Sequence, residues 1–128
     1  MNRDFPGYVQ FYPTLRCDLS CKACFNRGIP FTDDIKINDY ERVASVLIDN
    51  GIREIDILGG EPALHPDIER ILDINVKRSI RTSVSTNGCN IPVLKKISSR
   101  FPKDYIQIGV SLYEDTFSAE LNDFIFQY

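Results

Sequence analysis

Three of the four cysteines in this sequence, Cys17, Cys21 and Cys24, lie close together, whereas the fourth, Cys89, is distant. A disulfide framework uses an even and dispersed set of cysteines, so the clustered pattern favours metal ligation. Three thiolates on a short loop can hold three corners of an iron–sulfur cluster and leave one iron open to a substrate. The alternatives are inert thiols or a zinc site, and the zinc site would be favoured if Cys89 folded back as a fourth ligand. An incidental thiol is the simpler interpretation of Cys89.

Three further motifs contain glycine and polar residues of the kinds found in ligand sites. They are Gly59-Gly60-Glu61-Pro62, Thr86-Asn87-Gly88 and Ser111. The first two follow a short apolar segment, as the cysteine loop also does, and Ser111 closes another. Two of them have structural alternatives, because Glu61 could interact with a helix N-terminus and Asn-Gly is common in ordinary turns.

The elements that must position these motifs alternate between short strands and amphipathic helices. Patterning predicts strands over residues 8–14, 52–58, 80–86 and 105–112, and helices that begin at Asn38, Pro66, Pro92 and Thr116. Short connections between such elements are typical of right-handed βαβ units, so we expect a parallel sheet. Ligands bind at the carboxyl ends of parallel strands, so motifs at four successive strand ends should converge on one site.

The first helix has recognisable start and stop signals. Asn38 is predicted to cap it, with Glu41 three residues later in the manner of a capping box. Gly51 suits the left-handed residue that closes a helix. The predicted buried stripe comprises Tyr40, Val43, Val46 and Leu47.

The predicted strands separate apolar from polar residues. In the fourth strand Ile106, Ile108 and Val110 share one face, and the other face has Gln107, Gly109 and Ser111. In the third strand Ser83 and Ser85 also share a side. A parallel sheet with one polar face suggests a barrel-like lumen with helices outside. Four βα units are too few to close an eight-unit barrel, so we expect an α/β fold in which a partial (βα) barrel forms an open half-shell.

At these motifs the sequence resembles the radical S-adenosylmethionine (radical SAM) superfamily, whose signature is the cysteine spacing C-x3-C-x2-C. The resemblance extends from Tyr8 to about Leu112 and corresponds to the N-terminal portion of the family's core domain. It implies that Cys17, Cys21 and Cys24 hold a [4Fe–4S] cluster. It also implies that the amino and carboxylate groups of S-adenosyl-L-methionine chelate the remaining iron.

The same resemblance implies roles for residues outside the cysteine loop. The methionine ammonium would be received by Gly59, Gly60 and Glu61. The candidates for the ribose and the methionine polar groups are Ser85, Asn87 and Ser111, and the residue near the adenine would be Phe25. No catalytic residue is assigned beyond the cluster and the cofactor site.

The resemblance further implies an enzyme that cleaves S-adenosylmethionine reductively to methionine and a 5′-deoxyadenosyl radical. The radical would abstract hydrogen from a peptide or a small metabolite, and a protein such as flavodoxin or ferredoxin would supply the electron. The cofactors do the chemistry, and the protein orients them and excludes water. An enzyme that installs a glycyl radical on a partner is one alternative, and a non-catalytic α/β module that binds metal or a partner is another.

The sequence departs from the family pattern at three places. Ala23 stands where an aromatic residue often precedes the third cysteine, and Tyr113-Glu114 stands where many relatives have Asp-Gly after the fourth strand. Family cores have about six βα units, because a barrel needs enough strands to wrap a lumen. We therefore expect a remaining barrel segment or another subunit to complete the enclosure.

Composition excludes several other functions. The 128 residues carry a net charge of −3, with no long run of one sign, so binding to nucleic acid or an anionic membrane is not expected. No apolar run reaches the length of a membrane span, and residues 1–6 lack the apolar core of a signal peptide. The expected compartment is the cytoplasm. The single histidine, His65, is predicted to cap or precede the second helix.

Overall fold

The computed structural model describes residues 7–17, 33–112 and 118–128. Four parallel strands form one open sheet in sequential order, namely β1 (Tyr8–Phe11), β2 (Glu54–Ile57), β3 (Arg81–Thr86) and β4 (Ile106–Val110). The helices are α1 (Ile37–Asp49), α2 (Ile68–Lys77), α3 (Ile91–Arg100) and α4 (Ala119–Gln127), and a short 3-10 helix spans Pro62–Leu64. This arrangement confirms the α/β fold and the open array of four βα units.

The register of the sheet places polar residues in one row across all four strands. Asp56 pairs with Gln10 of β1 and with Ser83 of β3, and Ser83 pairs in turn with Gln107 of β4. Strand residues alternate between faces, so the neighbouring positions face the helices. The buried strand residues on that side are Ile55, Ile57, Thr82, Val84, Thr86 and Ile106. The predicted separation into a polar face and a helix-covered face is confirmed.

The main hydrophobic core lies between the apolar face of the sheet and the first three helices. Its buried helical residues include Tyr40, Leu47, Ile71, Leu72 and Ile97. A second cluster, centred on Leu94, Leu121 and Phe124, packs α3 against α4. The polar face lies opposite this core, and it is the face toward which a barrel lumen would form. No helix in the described ranges is long and apolar enough to cross a membrane.

The start of α1 differs from the prediction. The helix begins at Ile37, its N-cap is Lys36, and no side chain caps it, so the predicted capping box at Asn38 and Glu41 is wrong. The extended segment before the helix is hydrogen-bonded to the segment that follows β1, because Ile35 N donates to Pro13 O at 3.0 Å. That tertiary contact fixes where the helix can begin. Gly51 closes the helix with φ +81°, as predicted.

The buried stripe of α1 also differs at one position. Val46 is 56% exposed, whereas Ala44 is buried beside Tyr40 and Leu47. At about 100° per residue, Val46 points roughly 110° away from the direction midway between Tyr40 and Leu47, whereas Ala44 is only about 50° from that direction. The prediction favoured the larger apolar side chain over the better angular position.

Other elements differ from the predicted bounds by a few residues. β1, β2 and β4 end before the predicted positions, whereas β3 ends at Thr86 as predicted. α2 begins at Ile68, after a separate 3-10 helix at residues 62–64. Pro92 lies in the first turn of α3, which begins one residue earlier. The helix predicted from Thr116 begins at Ala119, where the Ser118 hydroxyl accepts a hydrogen bond from Leu121 N at 3.0 Å. Residues 113–117 lie outside the described residues.

A buried polar chain links α1, α2 and β3 within the core. Tyr40 Oη donates to Asn75 Oδ1 at 2.7 Å, and Asn75 Nδ2 donates to Thr82 Oγ1 at 3.0 Å. Burial raises the pKa of Tyr40 far above its ordinary value, although the Asn75 hydrogen bond opposes this shift. The hydroxyl therefore remains protonated and keeps its donor role.

We expect Tyr40→Phe to lower the free energy of unfolding by about 1–2 kcal/mol, because the buried Asn75 oxygen loses its donor. The edge-on ring contact with Phe11, at 5.3 Å between centroids, should survive. Urea unfolding at neutral pH measures the change. Tyr8→Phe is the matched control, because Tyr8 is exposed and should change stability little. Equal stabilities of the two variants would contradict this account of the polar chain.

Candidate functional site

Three strand ends come together at the carboxyl edge of the sheet. Cys17 follows β1, the Gly59–Glu61 turn follows β2, and Asn87 follows β3. Asn87 Nδ2 lies 3.9 Å from Cys17 Sγ and donates to it, while Asn87 N donates to Glu61 Oε2 at 2.6 Å. The structure therefore brings together three of the four motifs by direct contact. Cys21, Cys24 and Phe25 lie outside the described residues.

The two serines predicted for the site border the same edge. Ser111 N donates to Thr86 O at 2.9 Å, which places Ser111 beside the turn that contains Asn87. Ser85 pairs in register with Gly109 on the polar face of the sheet. Ser111 is exposed and Ser85 is half-buried. Their positions fit a site at this edge, and their predicted roles toward a cofactor stay predictions.

Glu61 is buried and joins two of the turns. It is 1% exposed. Its Oε1 accepts hydrogen bonds from Ala63 N at 3.0 Å and Thr86 Oγ1 at 2.6 Å, and its Oε2 accepts the bond from Asn87 N. The contact with Ala63 N caps the short 3-10 helix. This confirms the alternative interpretation in which Glu61 interacts with a helix N-terminus. Thr86 belongs to the predicted Thr86-Asn87-Gly88 motif, but no contact with Glu61 was predicted for it.

The two glycines allow the chain after β1 to pack against the turn after β2. A Cβ on Gly60 would lie 2.0 Å from Arg16 O, and one on Gly59, where φ is +126°, would lie 2.3 Å from Thr14 O. Gly60 N donates to Thr14 O at 3.1 Å, and Glu61 N donates to Arg16 O at 2.6 Å. The residue immediately before Cys17 is thus bonded to the glycine turn.

A charged pair near Cys17 was not predicted from the sequence. The Arg16 guanidinium forms an ion pair with Asp34, whose Oδ1 also accepts a hydrogen bond from Thr14 Oγ1 at 2.5 Å. Burial alone would raise the pKa of Asp34. The hydrogen bonds from Thr14 and Arg16, with the Arg16 charge, outweigh burial and hold that pKa below its ordinary value. Asp34 therefore remains ionised at neutral pH.

His65 has a structural place before α2, as predicted. Its Nδ1 accepts a hydrogen bond from Asp67 N at 3.0 Å, so Nε2 carries the proton and donates to Ile35 O at 2.8 Å. The ring is 3% exposed. Both ring nitrogens thus form hydrogen bonds with backbone groups, and the histidine connects the start of α2 to the segment before α1.

Cys89 lies in the turn after β3 and is exposed. Its backbone N donates to Asn87 Oδ1 at 2.9 Å, which orients the Asn87 amide toward Cys17. Within residues 7–17, 33–112 and 118–128, no three His, Cys, Asp or Glu side chains are grouped as metal ligands. Two of the three predicted cluster ligands lie outside those ranges.

A comparison with protein-family models shows which family the chain belongs to. The model of the Radical SAM superfamily matches residues 11–124. This range includes all three clustered cysteines and the carboxyl ends of all four strands. The chain belongs to the radical SAM superfamily. The resemblance inferred from the motifs is confirmed, and the homologues of this radical SAM chain are enzymes.

Individual relatives of this radical SAM chain are several times its length. The antilisterial bacteriocin subtilosin biosynthesis protein AlbA of Bacillus subtilis is 33% identical over 122 residues, which are 92% of this chain and 26% of AlbA. The probable GTP 3′,8-cyclase of Thermoplasma volcanium is 29% identical over 107 residues, or 80% of this chain and 32% of the cyclase. The chain thus spans about a quarter to a third of these relatives.

Solved structures resemble the fold of this radical SAM chain closely. Streptococcus suis SuiB bound to S-adenosylmethionine matches with a TM-score of 0.75 and 32% identity, over 84% of this chain and 25% of SuiB. SuiB bound to the precursor peptide SuiA matches with the same TM-score and identity, over 24% of that chain. One of these neighbours therefore holds the cofactor and the other holds a peptide.

Proposed function

We propose that Cys17, Cys21 and Cys24 hold a [4Fe–4S] cluster and that S-adenosyl-L-methionine binds beside it at the carboxyl edge of the sheet. The contact between Asn87 and Cys17 carries this proposal, because it places the first cysteine of the loop against the turn after β3. Thiolates are the ligands that iron–sulfur clusters use in proteins. An amide donor beside the Cys17 sulfur suits a thiolate ligand, so the described residues fit the group.

The remaining strand ends would bind and orient S-adenosylmethionine. We propose contacts with the methionine ammonium at the turn of Gly59, Gly60 and Glu61. For the ribose and the methionine polar groups we propose Ser85, Asn87 and Ser111, and near the adenine we propose Phe25. Because the Glu61 carboxylate already accepts three protein hydrogen bonds, its first contribution is to hold the turn in shape beside Asn87.

When bound, the cluster and S-adenosylmethionine supply the reductive cleavage that produces a 5′-deoxyadenosyl radical for hydrogen abstraction. The chain's own residues orient these groups and exclude water from one side of them. We propose flavodoxin or ferredoxin as the reductant and the cytoplasm as the compartment, since thiol ligands must stay reduced. A remaining barrel segment or another subunit would cover the polar face of the sheet.

For the substrate we propose a peptide. AlbA acts in the biosynthesis of a bacteriocin, and SuiB binds a precursor peptide. Both are more than 30% identical to this chain. A small metabolite is the second candidate, because GTP 3′,8-cyclases are also among the relatives. Formation of 5′-deoxyadenosine that rises with added peptide, but not with added GTP, would support the first candidate over the second.

Anaerobic reconstitution with iron and sulfide tests the cluster directly. We expect about four irons with matching sulfide per chain, a broad visible absorption, and loss of both in a Cys17/Cys21/Cys24→Ala variant. Cys89→Ala is the matched control and should keep the full cluster. Bound zinc at about one equivalent without sulfide would instead favour a zinc-binding module, and failure of the wild type to bind any cluster would overturn the proposal.

A further inference from the structure

The two ends of the cysteine-containing loop are bound to each other by side chains that the proposed cofactor contacts do not use. Arg16 immediately precedes Cys17, and Asp34 lies beyond Cys24 in the sequence. The Arg16 guanidinium pairs with the Asp34 carboxylate, and its Nε contributes a second contact to Asp34 Oδ1 at 3.3 Å. Thr14 Oγ1 donates to the same oxygen at 2.5 Å and accepts from Arg16 N at 3.1 Å. We call Thr14, Arg16 and Asp34 the loop clamp.

The loop clamp is also bound to the turn after β2. Arg16 O accepts a hydrogen bond from Glu61 N at 2.6 Å, and the Arg16 guanidinium donates to Leu64 O at 3.4 Å. On the other side, Ile35 O accepts from His65 Nε2 at 2.8 Å. Both ends of the cysteine loop are therefore anchored to the segment that contains the glycine turn.

We propose that Arg16 and Asp34 are positioning residues that hold Cys17, and the loop it begins, in the geometry that retains the iron–sulfur cluster. The inference rests on the proposed function. Joining the ends of a loop removes part of the conformational freedom that cluster binding would otherwise have to remove. The planar fork of arginine fixes direction as well as distance. Arg16 is bonded directly to Cys17, so a fixed position of Arg16 also restricts the position of the first ligand.

The size of the effect follows from exposure. The Asp34 side chain is 17% exposed and the Arg16 side chain 44%. Water screens the charges of this pair because the Arg16 side chain is nearly half exposed, so the pair contributes less free energy than a fully buried pair would. We therefore expect a change in cluster retention by about five- to tenfold, which is close to the effect of one ordinary hydrogen bond and below that of a buried charge-assisted one.

Release of iron to a ferrous chelator tests the loop clamp in the full chain after anaerobic reconstitution. We expect release to be about five- to tenfold faster in Asp34→Asn and in Arg16→Gln. Arg16→Lys should lie between these variants and the wild type, because it keeps the charge but loses the fork. The double variant should release iron no faster than the worse single variant, because both changes remove the same interaction.

Glu54→Gln is the matched control, because it breaks the exposed Arg81–Glu54 ion pair near the amino-terminal end of β2. Its iron release should equal that of the wild type. Urea midpoints identify the clamp variants that are folded, and only the release rates of folded variants are compared with that of this control. If Asp34→Asn does not fold, Arg16→Gln carries the test, because the Arg16 side chain is nearly half exposed.

The outcomes separate this inference from the proposed function. If the wild type binds no cluster, the proposed function fails. If the wild type binds the cluster and the clamp variants release iron at the wild-type rate, the positioning role fails and the function stands. Additive effects in the double variant would also overturn the positioning role, because they would show that Arg16 and Asp34 act separately.

Discussion

Gly60→Ala is expected to lower the free energy of unfolding by about 3 kcal/mol and to abolish cluster retention. The new Cβ would lie 2.0 Å from Arg16 O and 2.5 Å from Leu15 O. These are backbone atoms, so no side-chain rotation can relieve the contact. The chain before Cys17 must move away from the turn, and the hydrogen bonds from Gly60 N to Thr14 O and from Glu61 N to Arg16 O would break.

Gly109→Ala is the matched control for this prediction. The nearest atom to its added Cβ is Val84 O at 4.0 Å, so alanine fits without displacement. Alanine in a strand interior should be neutral or stabilising by a few tenths of a kcal/mol. Urea unfolding and iron analysis of both variants provide the measurement. A Gly60→Ala protein as stable as Gly109→Ala would show that the turn and the cysteine loop are not packed as described.

Glu61→Gln should destabilise the protein by about 2–3 kcal/mol, although the side chain keeps its size. The carboxylate accepts hydrogen bonds from three donors, namely Ala63 N, Thr86 Oγ1 and Asn87 N. A glutamine amide offers only one accepting oxygen, so its NH2 group must face at least one of these donors. With Glu61 1% exposed, water cannot replace the lost bond.

Two variants calibrate the Glu61 prediction. Glu41→Gln, at an exposed position of α1, should leave the urea midpoint unchanged. Thr86→Val should cost less than Glu61→Gln, because it removes the donor to Oε1 and the acceptor of Gly88 N but leaves the bond from Asn87 N. If Glu61→Gln were as stable as the exposed control, the turns after β2 and β3 would not depend on this carboxylate.

Stability and function depend on the same edge of the sheet. The cysteine loop begins where the glycine turn, Glu61 and Asn87 meet, so contacts that hold the fold at this edge also set the position of Cys17. Binding sites in parallel α/β folds lie on such strand-end connections. The residues proposed to bind the cofactor and the residues that hold them are therefore neighbours at one edge of the sheet, although they are far apart in the sequence.

Much of the fold follows from local patterns. Alternating strands and amphipathic helices indicate parallel βαβ units because few other topologies satisfy short right-handed connections. The polar and apolar faces of β3 and β4 follow from strict alternation along a strand. Boundaries were less accurate. The start of α1 was wrong because a backbone bond to Pro13, far away in sequence, outweighs the local capping signal at Asn38.

The residue types and the strand ends that carry them follow from the amino-acid sequence alone, and the cysteine spacing indicates the family. The contacts among those residues depend on the tertiary packing. Glu61 meets Thr86 across 25 positions, and Asn87 meets Cys17 across 70. Arg16 and Asp34 pair across 18. Periodicity and motif spacing report on neighbours along the chain, whereas these partners are selected by the packing of separate strands at one edge of the sheet.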